Sequence, residues 1–227
     1  MNTGSNSADL QWDPYQRPNL PQFDERRLSR VGVIDVGSNS VRLVVFDGAA
    51  RSPAYFYNEK LMCALGSSLS TTGILNPGGR VRAINAIQRF KHLATAMGIP
   101  KLTAVATAAV REAKDGVNFC REVYKTTGQK IWIIDGKEEA RLSAQGILLG
   151  WPRSYGLVCD LGGSSMELAE INNGKVGRCV TSPLGPLKLV EIEGGRAARA
   201  KFIRTTIEKL ASEMGPQHNR LFLVGGS

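Results

Sequence analysis

One supersecondary unit occurs twice in this chain, at a constant offset of 125 residues. Residues 31–48 read VGVIDVGSNSVRLVVFDG, and residues 155–174 read YGLVCDLGGSSMELAEINNG. In each copy an apolar run ends in an aspartate (Asp35 or Asp160), a glycine-rich turn follows, and a second apolar run leaves the turn. Repetition of one such unit predicts two related half-domains.

The segments after each copy alternate between strand and helix patterns. Helical spacing of apolar residues predicts a helix from about Pro77 to Met97, with a buried face of Val81, Ile84, Ile87, Phe90, Leu93 and Ala94. Further helices are expected over residues 116–127, 137–150 and about 197–214, with strands between them. Such alternation is typical of a sheet with helical crossovers, so the sequence predicts an α/β fold.

We place the two half-domains at residues 30–150 and 151–227, with a cleft between them. The second half has only 77 residues and stops directly after a predicted strand, LFLV. We therefore expect the second half to be truncated and the chain to be a fragment of a longer protein.

Composition is that of a globular domain, with 42% hydrophobic residues. No apolar stretch approaches the roughly 18 residues of a membrane span, so we expect no membrane partner. Residues 1–29 are polar and aperiodic and lack the apolar core of a signal peptide, so we interpret them as a disordered tail. Four widely spaced cysteines without a CxxC pair favour a reducing cytoplasm and mostly buried thiols.

The formal net charge is +9, from 29 basic and 20 acidic residues. A basic surplus favours polyanionic partners such as polyphosphate or a nucleotide, because the field of the whole molecule attracts them. The same surplus also occurs in proteins without such a partner. We expect no sequence-specific binding of nucleic acid, and the sequence leaves a homodimer open.

The two glycine-rich turns suit a phosphate group and a divalent metal. Glycines let backbone N–H groups approach phosphate oxygens, and serine and asparagine side chains add neutral donors. Asp35 and Asp160 hold matching positions, would face each other across the cleft, and could bind Mg²⁺. Alternatively both are ordinary hairpin turns, in which Asp and Ser are frequent. The candidate phosphate-binding residues of the turns are Ser38, Asn39, Ser40, Gly162, Gly163, Ser164 and Ser165.

Charged residues near two further strand ends complete the candidate site. Arg111 follows an apolar strand, and strand ends in α/β proteins meet ligands, so its guanidinium could fork onto phosphate oxygens. It could equally be a surface arginine with a packed stem. Glu138 and Glu139 fall in the first turn of a predicted helix, where the helix dipole favours them. We expect one to cap that helix and the other to lean into the cleft as a general base.

Together, the segments IDVGSNSVRL, ATAAVREA, GKEEARL and DLGGSSMEL resemble, in this order, those of the exopolyphosphatase/guanosine pentaphosphate phosphohydrolase family. That family belongs to the actin-like (ribonuclease H-like) superfamily, and the resemblance runs from about residue 31 to residue 227. It implies that Glu139 activates the attacking water and that Arg111 contacts phosphate. It also implies a metal site for Mg²⁺ at Asp35, Asp160 and Glu167. The family usually has glycine where Ser164 stands, so a positive φ there would strain this serine.

The activity implied by the resemblance is hydrolysis of a terminal phosphoanhydride. The substrate would be inorganic polyphosphate, guanosine pentaphosphate, or both. An actin-like kinase or ATPase is a different possibility, but such an enzyme needs no glutamate at the position of Glu139. A polyphosphate- or nucleotide-binding fragment that has lost turnover is the non-enzymatic alternative.

Overall fold

The computed structural model describes residues 14–15, 30–48, 54–216 and 219–225. The tail predicted over residues 1–29 therefore lies outside the described residues, apart from Pro14 and Tyr15. Pro14 is buried, and its carbonyl accepts a hydrogen bond of 2.8 Å from the backbone N–H of Ile133. For the rest of the tail, disorder stays a prediction.

Two β-sheets form the framework of the fold. The first sheet and its helices comprise β1 (Val31–Val36), β2 (Ser40–Phe46), β3 (Tyr55–Met62), α1 (Leu69–Thr72), α2 (Pro77–Ala96), β4 (Lys101–Ala106), α3 (Ala108–Glu112), α4 (Gly116–Thr127) and β5 (Ile131–Ile133). The second comprises α5 (Gly136–Gly150), β6 (Gly156–Leu161), β7 (Met166–Asn172), β8 (Lys175–Ser182), α6 (Pro186–Leu189), α7 (Gly195–Met214) and β9 (Leu221–Gly225). This is the mixed α/β architecture that the alternation of patterns predicted.

The two sheets share one strand order. The first sheet runs β3-β2-β1-β4-β5 and the second runs β8-β7-β6-β9. In each, the hairpin of the repeated sequence is antiparallel, a third strand joins its outer side antiparallel, and a later strand joins its inner side in parallel. Asp35 and Asp160, the aspartates of the repeat, are each the second-last residue of their strand. Both therefore lie at the same end of their sheets.

The first sheet buries one face against α2 and α4. In β2 the buried residues alternate with accessible ones, as a strand with one covered face requires. Phe90 from α2 and Phe119 from α4 are fully buried here, and a side chain of this size contributes about 2–3 kcal/mol by leaving water. The opposite face of β1 carries Asp35 and stays accessible.

The second sheet is covered on both faces. Helix α5 packs on one face through Ala140, Ala144 and Ile147. Helix α7 packs on the other face through Leu210 and Met214. Helix α5 follows β5 of the first sheet in the chain but packs on the second sheet.

Several local predictions need correction. Val81 is 59% exposed, although the helix pattern assigned it to the buried face of α2. At about 100° per residue, Val81 lies on the far side of the helix from Phe90, and Gly79 takes the buried position instead. Three of the four cysteines are buried as predicted, while Cys179 is half-buried. Among the described residues, no helix is both long and apolar enough to cross a membrane.

Candidate active site

A cavity of about 370 Å³ lies between the two sheets, where β1, β4, β6 and β9 end. Ligands of α/β proteins usually bind at such carboxyl ends of parallel strands. Both hairpin turns and helix α5 contribute to its wall, as do the two aspartates of the repeat. The lining residues from these parts are Asp35, Gly37, Ser38, Asn39, Ser40, Glu139, Ser143, Asp160, Gly162, Gly163, Ser164 and Ser165.

The two turns have the same backbone geometry. In the first, the N–H of Gly37 donates to the carbonyl of Ser40 at 2.9 Å. In the second, Gly162 donates to Ser165 at 3.0 Å. Among the described non-glycine residues, only Ala64 and Asn173 have positive φ. Ser164 is therefore unstrained, and the strain expected for a serine at this position is absent.

Carbonyl groups of both turns accept hydrogen bonds from backbone N–H groups that lie outside the turns. The Asn39 carbonyl accepts two backbone N–H groups at 2.8 and 2.9 Å, and the Ser38 carbonyl accepts the N–H of Gly66 at 2.8 Å. In the second turn the Gly163 carbonyl accepts the N–H of Leu187 at 2.9 Å. Within the described part of the chain, the N–H groups of Ser38, Asn39 and Gly163 donate to no acceptor. Free N–H groups that line a cavity are suited to binding an anion.

The two turns also touch each other. The hydroxyl of Ser38 is hydrogen-bonded to the hydroxyl of Ser164, and both serines are 5% exposed. A short distance away, the ammonium of Lys188 in α6 pairs with the carboxylate of Glu112 in α3 at 2.5 Å. These contacts bring the phosphate-loop candidates of both halves together at one end of the cavity.

The two glutamates in the first turn of helix α5 point in different directions. The Asp135 side chain caps the helix by accepting the N–H of Glu138 at 2.8 Å. Glu138 then turns along the helix surface and binds Arg141 through two contacts of 2.7 Å. Glu139 points into the cavity, with 15% of its side chain exposed. Of the two glutamates, Glu139 is thus the one available for chemistry.

Arg111 lies in the short helix α3, one turn beyond β4. Its Nη1 donates to the Ile134 carbonyl at 2.9 Å and to the Glu139 carboxylate at 3.1 Å. Arg111 is therefore held beside Glu139, but it is not itself among the described residues that line the cavity. To contact a phosphate it would have to extend past this carboxylate.

Two carboxyl groups of the cavity have raised pKa values. Burial raises the pKa of Glu139 from 4.5 to about 8, and the negative charge of Glu167 adds to this, while Arg111 opposes it. Asp35 touches solvent in the cavity, but protein surrounds it closely enough that desolvation raises its pKa from 3.8 to about 6. The nearby charge of Asp160 is the second cause. The charges of Asp35 and Asp160 therefore interact across the cavity.

Glu167 lies deeper than the sequence suggested. It is 1% exposed and is not among the described residues of the cavity wall. Its Oε1 accepts the hydroxyl of Thr181 at 2.8 Å, whereas Oε2 has no hydrogen-bond partner within the described part of the chain. Burial raises the pKa of Glu167. Glu167 acts on the cavity through its charge, which raises the pKa of Glu139.

Ser143 and Gly225 line the cavity but were not among the site residues predicted from the sequence. The hydroxyl of Ser143 donates to Oδ2 of Asp160 and so fixes that carboxylate. Ser143 follows Glu139 by four residues in a helix, a spacing that places both on one face and could have identified it. Gly225 has a φ of +82°, and a Cβ there would lie 2.6 Å from Oδ1 of Asp160. Only glycine allows this close approach.

A divalent metal fits the donors at one end of the cavity. No group of three or more His, Cys, Asp and Glu side chains in the described ranges could hold a metal by itself. Mg²⁺ needs fewer, because it usually combines one or two carboxylates with waters and phosphate oxygens. Asp35 and Asp160 raise each other's energy when both are ionised, a repulsion that a cation between them relieves. The unoccupied Oε2 of Glu167 is buried and does not add a ligand at the cavity surface.

Comparison with known proteins identifies similar chains. Residues 33–216 match the model of the Ppx/GppA phosphatase family. Exopolyphosphatase 1 of Mycobacterium tuberculosis is 31% identical over 163 residues, which cover 70% of this chain and 47% of that protein. Exopolyphosphatase 1 of Mycobacterium leprae is 29% identical over the same length, which covers 48% of that protein. The chain thus spans about half the length of these curated relatives.

Solved structures share the fold. The Ppx/GppA family member of Aquifex aeolicus is 26% identical with a TM-score of 0.72, covering 88% of this chain and 67% of that one. An exopolyphosphatase from Cytophaga hutchinsonii, at 24% identity, has a TM-score of 0.77 and covers 87% of this chain and 67% of that one.

Proposed function

The chain belongs to the Ppx/GppA phosphatase family, and from this premise we propose that it hydrolyses the terminal phosphoanhydride of inorganic polyphosphate. One observation carries the proposal. Glu139, held next to Arg111, and the free N–H groups of the two glycine-rich turns belong to one cavity. A base and an anion cradle in one cavity are what transfer of a phosphoryl group to water requires.

In this mechanism Glu139 orients the attacking water and accepts its proton. A base works best when its pKa lies near the working pH, and the pKa of Glu139 is about 8. Arg111 holds the carboxylate through Nη1 and stabilises its ionised form. The main part of the catalysis is positioning of the reactants, which costs little if the protein groups are already in place.

The two turns bind the phosphate oxygens. The free N–H groups of Ser38, Asn39 and Gly163, together with the serine hydroxyls, donate hydrogen bonds to the terminal phosphate and to the bridging oxygen next to it. Asp35 and Asp160 would hold Mg²⁺, which when bound neutralises negative charge on phosphate oxygens. Ser143 keeps the carboxylate of Asp160 oriented towards that position.

Guanosine pentaphosphate is a second candidate substrate. It ends in the same phosphoanhydride group, and the family resemblance includes guanosine pentaphosphate phosphohydrolases. The chain would then convert it to the tetraphosphate by the same attack. The alternatives to a hydrolase of these substrates are an actin-like kinase or ATPase, which transfers phosphate from ATP, and a binding fragment without turnover.

We also infer that the two sheets are the halves of a duplicated unit, with α5, which packs on the second sheet, in the connection between them. Their common strand order over four strands and the matched hydrogen bonds of the turns support this. Duplication explains why two aspartates and two turns meet at one cavity, because related halves that face each other present equivalent positions to a common cleft.

Release of orthophosphate tests the function. The chain is incubated with long-chain polyphosphate, guanosine pentaphosphate or ATP, with Mg²⁺ and with a chelator in place of Mg²⁺. We expect Mg²⁺-dependent release from polyphosphate and little from ATP. Release from ATP alone would favour the kinase or ATPase reading, and binding of polyphosphate without release from any substrate would favour the inactive fragment.

A further inference from the structure

The cleft is electrically asymmetric. In each sheet the aspartate of the repeat begins a row of three directly opposed residues that runs across neighbouring strands to the sheet edge. In the first sheet the row is Asp35, Arg42 and Lys60. In the second it is Asp160, Glu167 and Thr181. Arg42 and Glu167 are equivalent positions of the repeat, so the two halves carry opposite charges at the same place.

The basic row lies on the open face of its sheet. Directly opposed residues of neighbouring strands project from the same face, and Asp35, Arg42 and Lys60 all line the cavity. Arg42 and Lys60 both act on Asp35 electrostatically, in the direction that lowers its pKa. The row therefore extends the cavity outward from the aspartate end as a strip of positive charge.

The two basic residues differ in how they are held. Nε of Arg42 donates to Oδ1 of Asn58 at 2.8 Å, so this guanidinium is oriented by a neighbour. Lys60 is exposed and forms no ion pair or side-chain hydrogen bond within the described part of the chain. Strands lie about 4.8 Å apart, so the Cα of Lys60 is roughly 10 Å from that of Asp35, two strands away.

The acidic side of the cleft is unsuited to a polyanion. Glu139 and Asp160 both line the cavity on this side, and Glu167 stands directly opposite Asp160 on the neighbouring strand. The charges of Glu167 and Asp160 both raise the pKa of Glu139. A second anionic chain on this side would be repelled. The remainder of a long substrate must leave the cavity in another direction. Among the described residues, Arg42 and Lys60 of the first sheet offer positive charge on the cavity wall, whereas Lys188, near the second turn, is already paired with Glu112.

We propose that the part of the substrate beyond its terminal phosphates runs outward over β2 and β3, where the ammonium of Lys60 binds it and so favours long chains. This inference rests on the proposed function, because it concerns the orientation of that substrate in the same cavity. An edge-strand lysine can also serve only to prevent pairing between sheets. That role makes no demand on polyphosphate length.

Binding to a non-hydrolysing parent tests the proposal. All proteins carry Glu139→Gln so that the ligand is not consumed, and affinity for long-chain polyphosphate and for pyrophosphate is measured by calorimetry with Mg²⁺ at fixed salt. Lys60→Met removes the ammonium, and Lys60→Arg restores a cation. Lys175→Met is the matched control, since this exposed lysine lies at the far end of β8.

We expect Lys60→Met to weaken long-chain binding about five- to tenfold and to change pyrophosphate binding less than about twofold. Lys60→Arg should bind long chains nearly as the parent does, and Lys175→Met should match the parent. Equal affinities for Lys60→Met and the parent, or equal losses for both ligands, would overturn the proposal and leave the proposed function standing.

The same experiment separates the two claims. A parent that binds no polyphosphate of either length would overturn both the inference and the proposed function. If the wild-type chain binds polyphosphate but releases no phosphate, the proposed function fails as a hydrolase. The comparison of Lys60→Met with the parent then still decides whether the substrate runs over β2 and β3.

Discussion

Glu138 and Glu139 are neighbours in the first turn of one helix but have different surroundings. Glu138 is part-buried outside the cavity, with 16% of its side chain exposed, and Arg141 binds both of its oxygens. Glu139 lies in the cavity, where burial and the charge of Glu167 make ionisation costly. The difference follows from the angle between consecutive helix residues, which turns one side chain outward when its neighbour faces the cavity.

The raised pKa of Glu139 predicts a pH-dependent cost to stability. Its folded pKa, about 8, exceeds the ordinary value of 4.5, so the folded state holds a proton that the unfolded state releases between these pH values. Stability is therefore lost as the pH rises through that window. We expect Glu139→Gln to raise the free energy of unfolding at pH 9 by on the order of 2 kcal/mol and to change it little at pH 4. Urea unfolding at the two pH values measures this.

Glu138→Gln is the control for that experiment. It removes the part-buried ion pair with Arg141, which we expect to cost about 1–2 kcal/mol at both pH values. A gain for Glu139→Gln of the same size at pH 4 and pH 9 would show that ionisation of Glu139 is not its cause.

We predict that replacing Ser143 changes only the dependence of activity on Mg²⁺. Its hydroxyl is the group that orients Asp160, and it contacts no other described carboxylate. We expect Ser143→Ala to raise the Mg²⁺ concentration needed for half-maximal phosphate release by about three- to tenfold, as loss of one hydrogen bond to a charged group implies. The rate at saturating Mg²⁺ should stay within about twofold of wild type. A lower rate at every Mg²⁺ concentration, with the same half-maximal value, would contradict this role.

At the scale of elements, helix α6 fixes the second turn. The N-terminus of α6 lies so close to this turn that a Cβ on Gly185 would clash with the backbone of Ser164. Leu187 of the same helix donates its N–H to the Gly163 carbonyl. The short helix therefore sets the path of the turn, and its own start is restricted to glycine by packing.

Gly185→Ala should displace the turn. A backbone clash cannot be relieved by side-chain rotation, so we expect a loss of more than about 2 kcal/mol in stability and of most polyphosphate binding. Gly146→Ala is the matched control, because a Cβ there meets nothing within 4 Å and alanine is favoured in a helix by up to about 1 kcal/mol. Thermal unfolding and polyphosphate titration of both variants check this. Wild-type binding by Gly185→Ala would show that α6 does not determine the turn.

The elements were largely predictable because their patterns are local. The repeat identified both hairpins, and the helix predicted over residues 116–127 has the bounds of α4. The assignment of Val81 to the core was wrong, because the buried side of a helix depends on which partner covers it. Likewise, Arg80 binds Asp115 and Glu122, two residues that come near it only in the fold.

The site was predictable where the repeat or the family resemblance specified it. Both aspartates, both turns and Glu139 do line one cavity. Lys60 carries no such signal, since an isolated lysine in a strand is common. The assignment of Glu167 to the metal site stays a prediction. Its burial below the cavity wall depends on side-chain packing that sequence spacing does not express.

At the scale of the whole molecule, the net charge of +9 predicts strong dependence on salt. A polyanion that binds a basic cleft releases counterions, so its affinity falls as salt rises. Between 50 and 200 mM salt we expect affinity for long-chain polyphosphate to fall by more than about tenfold, and affinity for orthophosphate to fall much less. Titration of both ligands at the two salt concentrations checks this. Equal changes for the two would argue against contacts along an extended chain.

The most direct test of the central claim is the initial rate of orthophosphate release from long-chain polyphosphate, compared for wild type, Glu139→Gln and Glu138→Gln. If Glu139 activates the attacking water, its replacement should lower the rate by about 100-fold or more. Glu138→Gln should retain most of the wild-type rate, because Glu138 faces away from the cavity. A rate for Glu139→Gln close to that of wild type would contradict the assignment of Glu139 as the base.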